Sequence, residues 1–124
     1  MEKNVEGFKR IMKKVFLILI IFMICGCSNS YKTINKEKSI ELNKGKGAVL
    51  IDVRSIVEYQ EGHIMGAKSY PVTTILNDIE EDYDKNTYII VYCKSGNRSK
   101  IAAEGLIELG YKNVYDLGSI NNWS

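Results

Sequence analysis

The 124 residues contain one histidine, one proline, one tryptophan and three cysteines. That scarcity excludes several designs. A structural or catalytic zinc needs three or four clustered histidine, cysteine or carboxylate ligands. One histidine with few thiols does not supply them, so no metal and no cofactor are expected. A disulfide-stapled fold needs a framework of paired cysteines, and this chain has too few. A bilayer span needs ~20 apolar residues, whereas the run Val15–Ile24 (VFLILIIFMI) has ten. Charge of one sign is lacking too: 17 basic residues face 15 acidic ones. Repeats and low-complexity tracts are absent.

The short apolar run has a basic flank: Lys3, Lys9, Arg10, Lys13 and Lys14. That order is a secretory leader pattern. It ends Ile24-Cys25-Gly26-Cys27, which resembles a bacterial lipobox. The resemblance implies cleavage before Cys27 and acylation of its sulfur. The expected organisation is a leader over 1–26, a lipidated start and tether over 27–33, and one folded domain over 34–124. The alternative is an ordinary cleaved leader and a secreted protein. Two or three acyl chains hold a membrane firmly, where one is marginal. The expected location is therefore the bacterial cell membrane, lipid-anchored, outside the cytoplasm. The leader holds five basic and two acidic residues, leaving 12 and 13. With no basic patch, a nucleic-acid partner is not expected. With Cys27 acylated, Cys93 stands alone, and a lone thiol in an oxidising compartment points to a reactive group or an intermolecular pairing.

Downstream, apolar runs alternate with helical patterns. A short strand is predicted at Tyr31–Ile34, and a helix from Lys36 to about Asn43 behind an Asn35 cap. Ala48–Val53 reads as a strand buried on both faces. A short helix follows over Ser55–Glu61, then a strand at Lys68–Val72 and a helix after Thr73 or Thr74. Tyr88–Tyr92 is a second buried strand. Ser99–Leu109 is a helix with Ile101, Ala102, Leu106 and Leu109 as core contacts, and Val114–Leu117 a last strand. No hairpin signal separates the strands, so an α/β fold is predicted: a small open parallel sheet of five strands with helices on both faces.

In such sheets, ligands bind beyond the carboxyl ends of the strands. Cys93 ends one strand, and Lys94-Ser95-Gly96-Asn97-Arg98 leads into a helix. Backbone N–H groups at a helix start hold anions. Gly96 permits the tight turn, Arg98 adds a fork of charged donors, and Lys94 adds a cation. A free thiol has a pKa of ~8.5, which helix starts and cations lower. A lowering by roughly one to two pH units is expected from the helix start and Arg98 together. A cysteine at a strand end is, by itself, more often inert core. The strand before, the helix after and the missing partner thiol point the other way. Only Arg54 accompanies Arg98 against ten lysines in the mature part, which suggests that its planar geometry is wanted.

The ordered pieces Leu50-Ile51-Asp52-Val53-Arg54, Glu58-Tyr59-Gln60-Glu61-Gly62-His63-Ile64, Gly66-Ala67, Tyr70-Pro71-Val72, Cys93 to Ser99, and Val114 to Gly118 with Trp123 resemble the rhodanese (thiosulfate sulfurtransferase) family. The resemblance implies a catalytic Cys93 that carries a persulfide. It also implies a loop, Lys94 to Arg98, that holds a small sulfur-containing anion, and a thiol or cyanide acceptor. Asp52 and Arg54 are expected to pair locally, with Arg54 a possible pocket residue. His63 reads as structural and Trp123 as packing. Met65 stands where a proline is common, and Ser119 where a second glycine is common; neither is expected to touch the loop. A monomer is expected.

Three rivals remain. Phosphatases or arsenate reductases on a similar scaffold have five residues between cysteine and arginine, where four stand here. A rhodanese-like binding module often lacks the cysteine. A persulfide carrier would use the same chemistry with a protein acceptor.

Overall fold

The computed structural model describes residues 30–124. The leader read over 1–26 and the lipid site read at Cys27 lie outside the described residues. Among the described residues, no helix is long and apolar enough to cross a membrane.

Five strands form one sheet: β1 (Lys32–Thr33), β2 (Val49–Asp52), β3 (Lys68–Ser69), β4 (Tyr88–Cys93) and β5 (Asn113–Ser119). Their order is β1-β5-β4-β2-β3, and every neighbouring pair is parallel. The helices are α1 (Lys36–Lys46), α2 (Ile56–Glu61), α3 (Ile75–Asp82) and α4 (Asn97–Glu108), followed by a 3-10 turn at Ile120–Trp123. Alternate side chains of a strand point to opposite faces. Ile51, Val53, Ile89, Val91 and Cys93 therefore meet α3 and α4 through Ile75, Ile79, Ala102, Ala103 and Leu106. Leu50, Ile90 and Tyr92 meet the other layer through Leu42, Tyr59 and Trp123. Cover on both faces is why β2 and β4 read as nearly unbroken apolar runs.

Several boundaries move, each for a physical reason. α1 runs through Gly45 to Lys46 because Gly47, at φ +62°, supplies the left-handed stop and donates its N–H to the Leu42 carbonyl. Beyond β3, the Tyr70 and Val72 N–H groups still donate to the Asp52 and Val53 carbonyls at 3.0 Å, and Pro71 between them sits on the open edge of the sheet, where a missing N–H costs no bond. α4 begins at Asn97, behind Gly96 at φ +100°. Ser99, Ala102, Ala103 and Leu106 then form the buried i, i+3, i+4, i+7 face. Ile101, expected in the core, falls off that face and is 60% exposed.

The chain leaves β2 outward to β3 and leaves β4 outward to β5 in the opposite direction. The crevice between the carboxyl ends of β2 and β4 is thus the switch point of the sheet, where ligands bind in such folds. A buried network sets its floor. The Asp52 carboxylate, 0% exposed, accepts from the Arg54 backbone N–H at 2.9 Å, Arg54 Nη2 at 2.7 Å and the Tyr92 hydroxyl at 2.8 Å. Arg54 Nη2 also donates to the Gly62 carbonyl at 2.6 Å, and the Ile64 N–H donates to the Tyr92 hydroxyl at 3.1 Å. Two neighbouring strands and the Gly62–Ile64 segment are joined through one carboxylate. Removing one partner of a buried pair strands the other charge. Asp52→Ala is therefore expected to cost about 3–5 kcal/mol of stability, to be read from urea unfolding.

Candidate active site

Cys93 closes β4 and is 1% exposed. Burial alone disfavours the thiolate. The loop opposes that. Gly96 stands at φ +100°, a conformation that costs a residue without Cβ little. The turn aims its N–H at the sulfur, with N···Sγ 3.0 Å. Burial is the largest single influence on the thiol and raises its pKa. The Ser99 hydroxyl, together with the N–H groups of Ser99, Gly96 and Ser95, outweighs burial, and the net direction is down. The sulfur is covered, yet its cover includes hydrogen-bond donors.

Ser99 is fully buried, and its hydroxyl donates to the Gly96 carbonyl at 3.1 Å. A hydroxyl carries one hydrogen, so it serves either that carbonyl or the sulfur at a given moment. Nothing in the local sequence pattern singles out Ser99. The helix start was placed at that residue, which hid its inward position in the first turn of α4.

Arg98, expected to hold an anion, has a carboxylate partner that the sequence pattern does not show. Its Nη1 and Nη2 donate to both carboxylate oxygens of Glu58, at 2.6 and 3.1 Å. The lowered thiol pKa comes chiefly from hydrogen bonds rather than from this guanidinium. Glu58 was another residue without an assigned role. It stands three residues after Ser55, whose hydroxyl accepts from the Glu58 N–H at 3.2 Å. Glu58 Oε1 accepts in return from the Ser55 N–H at 3.4 Å, a capping box. That S-x-x-E spacing was legible, but its meeting with Arg98, 40 residues away, was not. The Arg98 guanidinium foremost holds the Glu58 carboxyl down to about 2, so the pair is charged throughout the working pH range.

Arg54 pairs locally, through Asp52 and the Gly62 carbonyl, and is 8% exposed. Lys94, Ser95 and Asn97 have exposed side chains. Ser119 corrects an expectation: its hydroxyl donates to the Lys94 carbonyl at 2.6 Å, so it does touch the loop. The register shift between β4 and β5 brings it there, pairing Tyr92 with Gly118 and Cys93 with Ser119. The turn at Met65 closes without proline, the Ala67 N–H bonding the Ile64 carbonyl at 2.9 Å. His63 is exposed and stacks on Tyr59 with centroids 3.7 Å apart. Among the described residues, no cluster of three His, Cys, Asp or Glu side chains is placed to hold a metal. Arg98 borders a cleft of about 340 Å³ whose apolar wall includes Val53, Ile56, Val57, Pro71 and Val72. A smaller cleft, about 180 Å³, lies away from the thiol between α1 and Trp123.

A cysteine at the switch point of a parallel sheet, wrapped by amides at a helix start, has the surroundings that nucleophilic thiol chemistry requires. The Rhodanese-like domain family matches residues 36–124, and the chain belongs to that family. It is 36% identical over 94 residues to the thiosulfate sulfurtransferase GlpE of Coxiella burnetii, covering 75% of this chain and 87% of that one. It is 32% identical over 96 residues to the same-named enzyme of Pseudomonas putida, covering 77% and 86%. Among solved structures, a rhodanese with anions from E. coli is 36% identical with a TM-score of 0.57, covering 60% of this chain and 89% of that one. The human single-domain sulfurtransferase TSTD1, at 22% identity, TM-score 0.68 and 76% and 96% coverage, shows the fold alone. The chain is accordingly a transferase of the sulfurtransferase type.

Because the Ser99 hydroxyl favours the thiolate, Ser99→Ala is expected to move the ionisation of Cys93 toward higher pH. A lost hydrogen bond of about 1 kcal/mol lowers the thiolate fraction roughly fivefold below the inflection. The pH dependence of alkylation by a neutral haloacetamide checks this.

Proposed function

We propose that the protein moves a sulfane sulfur from a donor such as thiosulfate to a thiophilic acceptor through a persulfide on Cys93. The observation that carries this reading is the Gly96 N–H at 3.0 Å from Sγ, within a loop whose donors lower the thiol pKa. The thiolate attacks the outer sulfur of thiosulfate. An S–S bond forms to Cys93, the donor's S–S bond breaks, and sulfite departs with that electron pair. Cys93 then carries a persulfide anion. A cyanide or thiolate acceptor attacks the outer sulfur, and the Cys93 thiolate returns. Each step conserves charge, and none requires a general acid, which agrees with a loop free of histidine and carboxylate side chains. Amides that favour the thiolate favour a persulfide anion for the same electrostatic reason.

Two features bear on the alternatives. The Arg98 fork is engaged by Glu58, which leaves the loop without the free guanidinium that a phosphate or arsenate would want. Ile56 and Val57 are 57% and 63% exposed and line the cleft that Arg98 borders. An apolar lip of this kind favours an organic or protein thiol over cyanide as the working acceptor.

Intact mass spectrometry after thiosulfate treatment tests the reading. One added sulfur atom is expected, removed by cyanide and absent in Cys93→Ser. An unchanged mass in the active-loop protein sinks it.

The same reading includes an anchor: Cys27 acylated, with the domain outside the cytoplasm at the cell membrane. Support comes from the basic flank, the apolar run and Gly26-Cys27. Incorporation of a fatty-acid probe is expected in the full chain and lost in Cys27→Ser, with the protein leaving the membrane fraction.

A further inference from the structure

Glu58 holds a charge that its local structural role does not require. It completes the capping box of α2 with Ser55, yet a glutamine completes such a box equally well. What a glutamine lacks is the negative charge set against Arg98. Both carboxylate oxygens meet both terminal nitrogens of that guanidinium, at 2.6 and 3.1 Å. The two side chains are only 34% and 27% exposed. Screening is therefore weaker than for a fully solvated pair. The topology makes the meeting possible: α2 starts beside the carboxyl end of β2, α4 starts beside that of β4, and those strands are neighbours.

Arg98 closes the loop that holds the sulfur, between Gly96 and Ser99, and its charge couples to that of Cys93. A free guanidinium there would draw every anion toward the loop, the departing one included. Binding the incoming and the leaving anion equally well does not speed the chemistry. The Ser99 hydroxyl and the loop amides suffice for the thiolate, since together they already reverse the effect of burial.

We propose that Glu58 is a positioning and specificity residue that neutralises Arg98, so that the loop holds sulfur anions through its amides and lets the oxyanion product go. This rests on the sulfurtransferase reading for its substrate, and on geometry for its charge coupling.

The experiment compares wild type with Glu58→Gln in the purified full chain. Two quantities are read: the pH profile of Cys93 alkylation by neutral iodoacetamide, and inhibition of thiosulfate-to-cyanide transfer by sulfite. In Glu58→Gln the alkylation inflection is expected to move toward lower pH. Sulfite is expected to inhibit at roughly two- to fivefold lower concentration, the scale of a partly exposed charge pair. Both differences should shrink at high salt, which a purely structural role would not produce. An unmoved alkylation profile overturns the proposal. So does weaker sulfite inhibition with a raised KM for thiosulfate, because Glu58 would then be aiming Arg98 at substrate. Should Glu58→Gln fail to fold, Glu58→Ala must give the same acid shift or the proposal falls. The alkylation arm needs no sulfur transfer. With an inactive wild type, an acid shift still upholds the charge compensation and a flat profile still ends it.

Discussion

The hydrogen bonds that the loop gives the Cys93 sulfur, from the Ser99 hydroxyl and the N–H groups of Ser99, Gly96 and Ser95, together reverse what burial would do to that residue. A cysteine this covered is ordinarily an inert piece of core. Here it packs with Val91, Ile89 and the small residues of α4 and still faces donors. The left-handed Gly96 allows both conditions together. It turns the chain back over the strand end without a Cβ, and it starts the helix whose first turn carries Ser99.

The loop is held from both flanks. Ser119 reaches the Lys94 carbonyl from β5, and the shift of register in β5 is what places it there. Glu58 reaches Arg98 from α2. Beneath them, the Asp52 carboxylate ties β2 to β4 through Tyr92 and secures the Gly62–Ile64 segment through Arg54. The site is thus preorganised by elements far apart in sequence, and the sulfur chemistry needs little beyond a fixed ring of donors.

The alternation of apolar runs with helical patterns made the parallel sheet legible, because strands covered on both faces cannot hide that signature. Cys93 was legible for the same reason, as a polarisable group at a strand end before a glycine. The helix start was less so. Gly96 reads as a turn, yet it serves as the cap and α4 starts two residues earlier, at Asn97, with Ser99, Ala102, Ala103 and Leu106 on its buried face and Ile101 outside it. Arg98 was read as an anion ligand because a lone arginine shows no partner in one dimension.

Composition and order along the chain determined the fold class, the position of the nucleophile and the need for a tight turn after it, because those follow from periodicity, chain stiffness and the chemistry of single side chains. Which donors face the sulfur, and which carboxylate meets Arg98, were decided only when β2 and β4 became neighbours. Parallel pairing joins residues about 40 positions apart, and no local spacing encodes such a contact.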